Sequence, residues 1–350
     1  MENIALMILG IPLLGSFLIP VVSWLGLRRI AGMTAVILLT ATHLLTWSLL
    51  PSALAGETWR WSFPVYENIF SFSLVIDALS VFMAFTSSLL AALIAIYSLG
   101  YLKRDGRETG YYFLVTLLVG TTMGLVFSSH LLLLYLCWEI TALACWRLIG
   151  YYREPEPGPK ADKAFLVTCG GAGAMLLGFL WLYQKHGSFE LSVLQGNTIG
   201  LLPLALILCG IMSRSATFPL HTWLPEAGGA PATVTSLLHA ALLVPLGLFA
   251  FARLFSHGLL IPRPWQEAIL VLALVSALVA ACAALRETDL QRLLAYSTVS
   301  QLGYVFLGLA VFSRIGYVGA LLYLLAHGLA KGGLVFCAGI VEQGAGTREM

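Results

Sequence analysis

The chain has 350 residues, of which 59% are hydrophobic and only 10% charged. Its mean hydropathy is +0.90. Soluble domains carry about 25% charged residues, so the composition excludes a soluble globular protein. It also excludes an outer-membrane barrel, because the apolar runs are long and unbroken where a barrel needs short alternating segments. The net charge of +2, with arginines scattered along the chain, gives no basis for nucleic-acid binding.

In chain order, apolar runs predict about eleven membrane-spanning helices: 4–24, 31–52, 72–101, 111–128, 131–152, 163–183, 201–221, 232–255, 266–285, 290–311 and 315–341. The first run lacks a basic leader and a small-residue cleavage site, so it reads as a retained span and not as a signal peptide. Polar stretches at 53–71, 153–162 and 185–200 separate spans, and the second, with three prolines, reads as a surface loop. With the N-terminus outside, inner loops carry eleven Lys/Arg against five in outer loops. That bias predicts a multi-pass protein of the cell inner (plasma) membrane with an outside N-terminus. The six cysteines all sit in apolar runs and read as buried apolar residues. Neither a metal site nor a cofactor site is expected, and no nucleotide-binding or nucleophile motif is present.

Charge inside a span is costly, at about 2.5–3.5 kcal/mol near the centre of a membrane helix. Glu139 lies in such a position, in the run LLLLYLCWEITALACWRLIGYY. It therefore predicts a protein-facing or wet environment and a cationic partner. Arg214 lies in the seventh span, ahead of SATFPLHTWLP. Pro219 falls within that span and Pro225 just beyond it. A proline inside a helix kinks or breaks it, and broken backbone at membrane depth is tolerated only where it is buried in protein or lines a cavity. The seventh span is thus predicted to be a broken helix, with His221 at the break. His239 lies in the eighth span. Tyr323, His327 and Lys331 recur at i, i+4, i+8 in the eleventh, which predicts one shared polar face. Five ionisable groups on four apolar spans form the pattern of a proton or ion relay.

Blander readings apply to other charges. Arg147, near the inner end of the Glu139 span, is expected to snorkel to the interface. Asp77 opens the third span, where a helix dipole favours a carboxylate, and Asp289 is placed to cap the tenth. His43, His130, His186 and His257 lie near span ends or loops and take no predicted role.

The runs FSLVIDALSVFM, WEITALACWRLIGYY, KAFLVTCGGAGAMLLG, SRSATFPLHTWLPEA, TSLLHAALLV, DLQRLLAYSTVSQLGY and HGLAKGGLVFCAG resemble the antiporter-like membrane subunits of respiratory complex I. Relatives of these subunits occur in Mrp-type sodium/proton antiporters and membrane-bound hydrogenases. FPLHTWLPEA followed by HAALLV is most similar to the complex I subunit-5/Mrp large-subunit group. The resemblance implies an all-α polytopic fold of two inverted five-helix repeats. Residues 1–110 would hold the first three spans, 111–255 the complete first repeat (spans four to eight) and 256–350 a partial second. It also implies a proton path through Glu139, Arg214, His239, His327 and Lys331, with Asp77, Pro219, His221, Tyr323 and Arg147 in support. Other membrane subunits, a redox arm, protons or sodium ions, and the lipid bilayer are the partners it implies.

Three departures qualify that path. Arg214 stands where the family has lysine, and arginine effectively cannot release its proton. The motif D-x-K-R reads Asp289-Leu-Gln-Arg292, one cation short. The family's second repeat needs two further spans, including one with an exit-side charge that has no counterpart here. The expectation is that the chain is a fragment, that a partner completes the path, or that this member is a non-conducting structural subunit. Kinship with inorganic-carbon pumps is a further alternative. No catalytic site of its own is expected. Any enzymatic role would come through a redox-driven complex of the NADH:quinone oxidoreductase type.

Overall fold

A computed structural model describes residues 2–66, 69–102, 107–151, 159–256 and 258–349. Most of the predicted loop at 153–162, the inner-loop cations Lys103, Arg104 and Arg153, and His257 lie outside the described residues. The chain divides into two compact units, Met1–Tyr151 and Tyr152–Met350.

The first unit contains α1 (Glu2–Gly15), α2 (Leu18–Trp24), α3 (Arg28–Trp47), α4 (Leu50–Leu54), β1 (Trp59–Tyr66), β2 (Phe70–Ile76), α5 (Ala78–Tyr101), α6 (Glu108–Phe127) and α7 (Leu131–Ile149). Helix α6 lies centrally, packed on α1, α3, α5 and α7. Gly120 makes the α1 crossing possible: a Cβ there would sit 2.6 Å from the Leu13 Cα.

The hairpin β1–β2 corrects the expected boundaries. The stretch 53–71 is not simply a polar connection, and the third span begins at Ala78 and not at residue 72. The antiparallel register pairs Trp59 with Ile76, Trp61 with Leu74 and Phe63 with Phe72. These are apolar residues at every second position, the period of a strand. In the sequence, β2 runs straight into the apolar start of α5, which hides the change of period. The boundary is set by Asp77: its carboxylate accepts from the Ser80 amide (2.9 Å) while Ser80 Oγ accepts from the Asp77 amide (2.8 Å). This reciprocal capping starts the helix at Ala78.

The second unit contains α8 (Pro159–His186), α9 (Leu191–Leu194), α10 (Leu201–Arg214), α11 (Trp223–Ala227), α12 (Ala232–Ser236), α13 (Leu243–Phe251), α14 (Arg263–Ala284), α15 (Leu290–Ala310) and α16 (Arg314–Ala345). Two π-helical segments, Leu237–Ala241 and Ala252–Ser256, follow α12 and α13. The stretch 232–256 is buried nearly throughout, which explains its apolarity on all faces. Asp289 Oδ1 caps α15 by accepting from the Arg292 amide, and Ser313 caps α16 from its own side chain. Gly346, at φ +69°, ends α16 in the left-handed conformation that glycine adopts without steric cost.

Ten helical stretches among the described residues are long and apolar enough to cross a membrane, and α10 adds a shorter apolar helix. The protein is a multi-pass helical membrane protein. The expected break in the seventh span is present: α10 stops at Arg214 and α11 starts at Trp223.

Candidate functional site

The predicted residues divide between the units. In the first, Glu139 lies on α7 beside the fully buried Trp138 and is itself partly buried. Arg147 is exposed, with its guanidinium 5.8 Å from the centre of the Trp146 ring, consistent with a side chain reaching for the interface. Asp77 is occupied as the α5 cap. His43 is a packing histidine: its Nδ1 lies 3.0 Å from Ser88 Oγ and its Nε2 accepts from Trp47 Nε1 at 3.1 Å.

The second unit holds Arg214, His221, His239, Tyr323, His327 and Lys331. Arg214 is fully buried in the last turn of α10, where the carbonyl end of the helix dipole favours a cation. Chain 215–222 then leaves helical geometry, with Ala216 at φ +49°. Local hydrogen bonds replace the lost ladder. Ser215 Oγ lies 2.8 Å from Thr217 Oγ1, the Phe218 amide donates to Ser276 Oγ on α14 (3.1 Å), and Trp223 Nε1 donates to the Ser213 carbonyl (2.9 Å). Gly247 lets α13 cross here, because a Cβ at that point would meet the Ser215 nitrogen at 2.8 Å and the Ile211 carbonyl at 2.9 Å. Pro219 follows a cis peptide bond in this segment.

His239, His327 and Lys331 come together. His239 is fully buried at the middle of the π-helical segment 237–241. Such segments are rare and cluster at functional sites. Its Nδ1 is 3.1 Å from Thr298 Oγ1 on α15. Thr298 has one hydroxyl proton, and its Oγ1 also lies 2.9 Å from the Leu294 carbonyl. With that proton on Leu294, Nδ1–H donates to Thr298, and a neutral ring so placed keeps its lone pair on Nε2. No group among the described residues hydrogen-bonds that Nε2.

His327 and Lys331 lie one turn apart on the buried stripe of α16, at 6% and 4% exposure. Helix α16 packs directly on α12 and the π segment, and Gly332 faces Ser236 and Ala240 closely enough that a Cβ would touch both. Lys331 Nζ donates to Ser297 Oγ at 2.7 Å. The His327 ring meets the His239 main chain, and both rings lie within electrostatic reach of Lys331. His327 Nε2, Ser236 Oγ and Thr233 Oγ1 make no hydrogen bond among the described residues. Such atoms on facing helices put donors and acceptors together inside an otherwise apolar unit.

Tyr323 does not join this group. It is 41% exposed and its hydroxyl bonds Gln301 on α15, so the expected i, i+4, i+8 face narrows to two residues. The sequence reading missed Ser297 and Thr298, the α15 hydroxyls that hold Lys331 and His239. The available signal was the pair Ser-Thr inside LAYSTVSQLGY, a polar interruption in an apolar span. It also missed the pair Lys163–Glu226 (2.6 Å) and the set in which Glu342 accepts from Gln291 Nε2 (2.8 Å) and Arg348 Nε (2.6 Å). Among the described residues, no three His, Cys, Asp or Glu side chains converge as a metal site needs.

Residues 128–350 match the family model described as NADH:quinone oxidoreductase/Mrp antiporter, TM. The chain belongs to this family. Residues 61–112, which span the hairpin and α5, match the model for the N-terminus of chain 5 of NADH-ubiquinone oxidoreductase (complex I). Among curated members, the chain is 33% identical over 336 residues to NAD(P)H-quinone oxidoreductase subunit 5, chloroplastic, of Tecoma stans, covering 90% of this chain and 44% of that protein. It is 31% identical to the subunit of the same name from Chaetosphaeridium globosum, covering 91% and 50%. The chain thus spans about half the length of the curated relatives it matches. Among solved structures it superposes on a chain of the Mrp complex from Dietzia sp. DQ12-45-1b with a TM-score of 0.87 at 27% identity, over 100% of this chain and 38% of that one. It shares the fold of a chain in the archaeal membrane-bound sulfane sulfur reductase, at a TM-score of 0.89 and 22% identity, covering 100% and 73%.

Proposed function

We propose that the chain is a proton-translocating subunit of a multisubunit membrane complex of the NADH:quinone oxidoreductase type. Protons pass through a buried relay of Glu139, Arg214, His239, His327 and Lys331. The observation that carries this reading is the buried group of His239, His327 and Lys331, held by Thr298 and Ser297 of α15. Thr298 anchors His239 at Nδ1, and the ring's Nε2 makes no hydrogen bond among the described residues, in a buried site shared with His327 and Lys331. A ring fixed in this way accepts a proton at Nε2 and passes one on from the same atom.

Within the relay the residues act differently. Lys331 and the two histidines exchange protons. Arg214 keeps its charge and acts as a fixed cation, since a guanidinium does not deprotonate. The repeats 111–255 and 256–350 belong to this reading. So do the plasma-membrane location and the outside N-terminus. The driving force comes from partner subunits, through a redox module or an ion gradient.

A second reading, a subunit of an Mrp-type sodium/proton antiporter, is favoured by the superposition of all of this chain on 38% of the Mrp complex chain. A third, a non-conducting structural subunit, is favoured by arginine at position 214. Arg214→Lys separates these classes. A conducting relay changes its rate with a titratable cation there, and a passive clamp does not.

The test uses the complex purified from its source membranes through a tag on this chain and reconstituted in sealed vesicles. His239→Leu should abolish proton movement while the complex still assembles. Unchanged proton movement in that variant would contradict the relay.

A further inference from the structure

One ion pair in the second unit has no part in the relay described above, and its geometry gives it one. Lys163 on α8 holds Glu226 on α11 at 2.6 Å, with the side chains 38% and 36% exposed. This is the end of the unit where α8, α12 and α15 begin and α16 ends, as two other contacts show. Arg348 Nη1 donates to the Gly228 carbonyl at 3.1 Å, and Asp289 pairs with Glu349 through the backbone. Glu226 is therefore at an end of the bundle, half open, and not in the buried middle.

From there, polar side chains lead inward. His221 lies five residues before Glu226, and its carbonyl accepts from the Leu224 amide to begin the turn of α11. The His221 ring is within electrostatic reach of Lys163 and 6.3 Å, centre to centre, from the Tyr296 ring on α15. The next two residues of α15 are the relay's own holders: Ser297 binds Lys331 and Thr298 faces His239. Ser297 is seven residues past the start of α15, about 10 Å along the helix. Three consecutive side chains of one helix, fanned about 100° apart around it, thus stand near His221, Lys331 and His239 in turn. The break after α10 is what permits this, because it turns His221 and Glu226 toward α8 and α15 where a continuous helix would have carried them past.

We propose that Glu226 is the proton-collecting group of the relay, paired with Lys163 at the water-facing end and connected through His221 and the Tyr296–Ser297 edge of α15 to Lys331. The inference rests on the relay reading and adds to it the route by which protons arrive. In the step, the Glu226 carboxylate takes a proton from water and its pair with Lys163 loosens. The proton passes to the His221 imidazole, the carboxylate is restored, and the pair with Lys163 re-forms. Imidazolium then gives its proton to water on the Tyr296–Ser297 side of α15, and the Lys331 amine, bonded to Ser297, takes one from there. No electron transfer or covalent change is involved.

The same tagged complex in sealed vesicles tests this with Glu226→Gln, Glu226→Asp and Lys331→Met. A positioned proton-transfer group contributes about a hundredfold or more, so Glu226→Gln should slow proton movement by at least about tenfold, allowing for bypass by water. Glu226→Asp, which keeps a carboxylate, should recover most of the rate, and Lys331→Met should be inactive. If Glu226→Gln moves protons at the wild-type rate while Lys331→Met is inactive, the route through Glu226 is wrong and the relay stands. If Lys331→Met moves protons normally, the relay reading fails and this inference with it. Should Glu226→Gln not assemble, Lys163→Met decides: proton movement per assembled complex persists if Glu226 is the collecting group. Its loss there identifies the pair as a structural clamp and overturns the proposal.

Discussion

Thr298 is the most informative side chain to change, because the direction of the His239 ring depends on it. In Thr298→Val the shape is kept and the hydroxyl lost. The Leu294 carbonyl, which also received the Thr298 hydroxyl at 2.9 Å, keeps its helical amide partner, so that loss costs little. The His239 Nδ1–H is different, because it sits in a site of 0% exposure and loses its acceptor at 3.1 Å. Leaving a buried donor unsatisfied costs about 1–3 kcal/mol. The ring is then free to carry its proton on Nε2 instead, which removes the acceptor the relay uses. A net bond of about 0.5–1.5 kcal/mol converts to a fall of roughly two- to tenfold in the fraction of rings correctly protonated, and in proton movement with it. The assays are unfolding in detergent and proton flux in vesicles. Thr298→Ser should behave as wild type. In the double variant with His239→Leu, both partners of the bond are gone, so most of the lost stability should return while proton movement stays absent. Wild-type stability and flux in Thr298→Val would refute the tautomer assignment.

Two further changes test parts of the frame. Gly247→Ala places a Cβ against the backbone of Ser215 and Ile211, which cannot move aside as a side chain would. It should cost about 1–3 kcal/mol in thermal unfolding, whereas Gly332→Ala, whose Cβ would make ordinary contact, should be tolerated. Asp77→Ala removes the α5 capping box and should lower stability by about 0.5–2 kcal/mol with no loss of proton movement per assembled complex. A transport defect there would give Asp77 a role beyond capping.

The helical spans were legible because a bilayer demands long apolar runs, and their polar exceptions were legible because each is costly. The break after Arg214 could be read from Pro219 and Pro225, and the pairing of His327 with Lys331 from their spacing. The hairpin was not legible, because Phe70–Ile76 passes into α5 without a polar boundary and only the alternation of Trp59, Trp61 and Phe63 marked the strand. Tyr323 shared the spacing of His327 and Lys331, but α16 buries a narrow stripe and leaves that side chain at its edge. Ser297 and Thr298 escaped notice for another reason. Hydroxyls inside a membrane helix commonly bond their own backbone, and nothing in sequence shows which of them also hold a ring or an ammonium from another helix. Nor does sequence show the π segment, which turns His239 toward α15.

The proposed relay requires that protons, and not merely fixed charge, move through the buried cluster of the second unit. Lys331→Arg tests it most directly, because arginine preserves the charge beside Ser297 and the histidines yet effectively cannot release a proton. Proton flux should be measured in sealed vesicles holding the assembled complex, alongside the wild type. Lys331→Arg should assemble and fail to move protons, the outcome also expected of Lys331→Met. Wild-type flux through the arginine variant would contradict it.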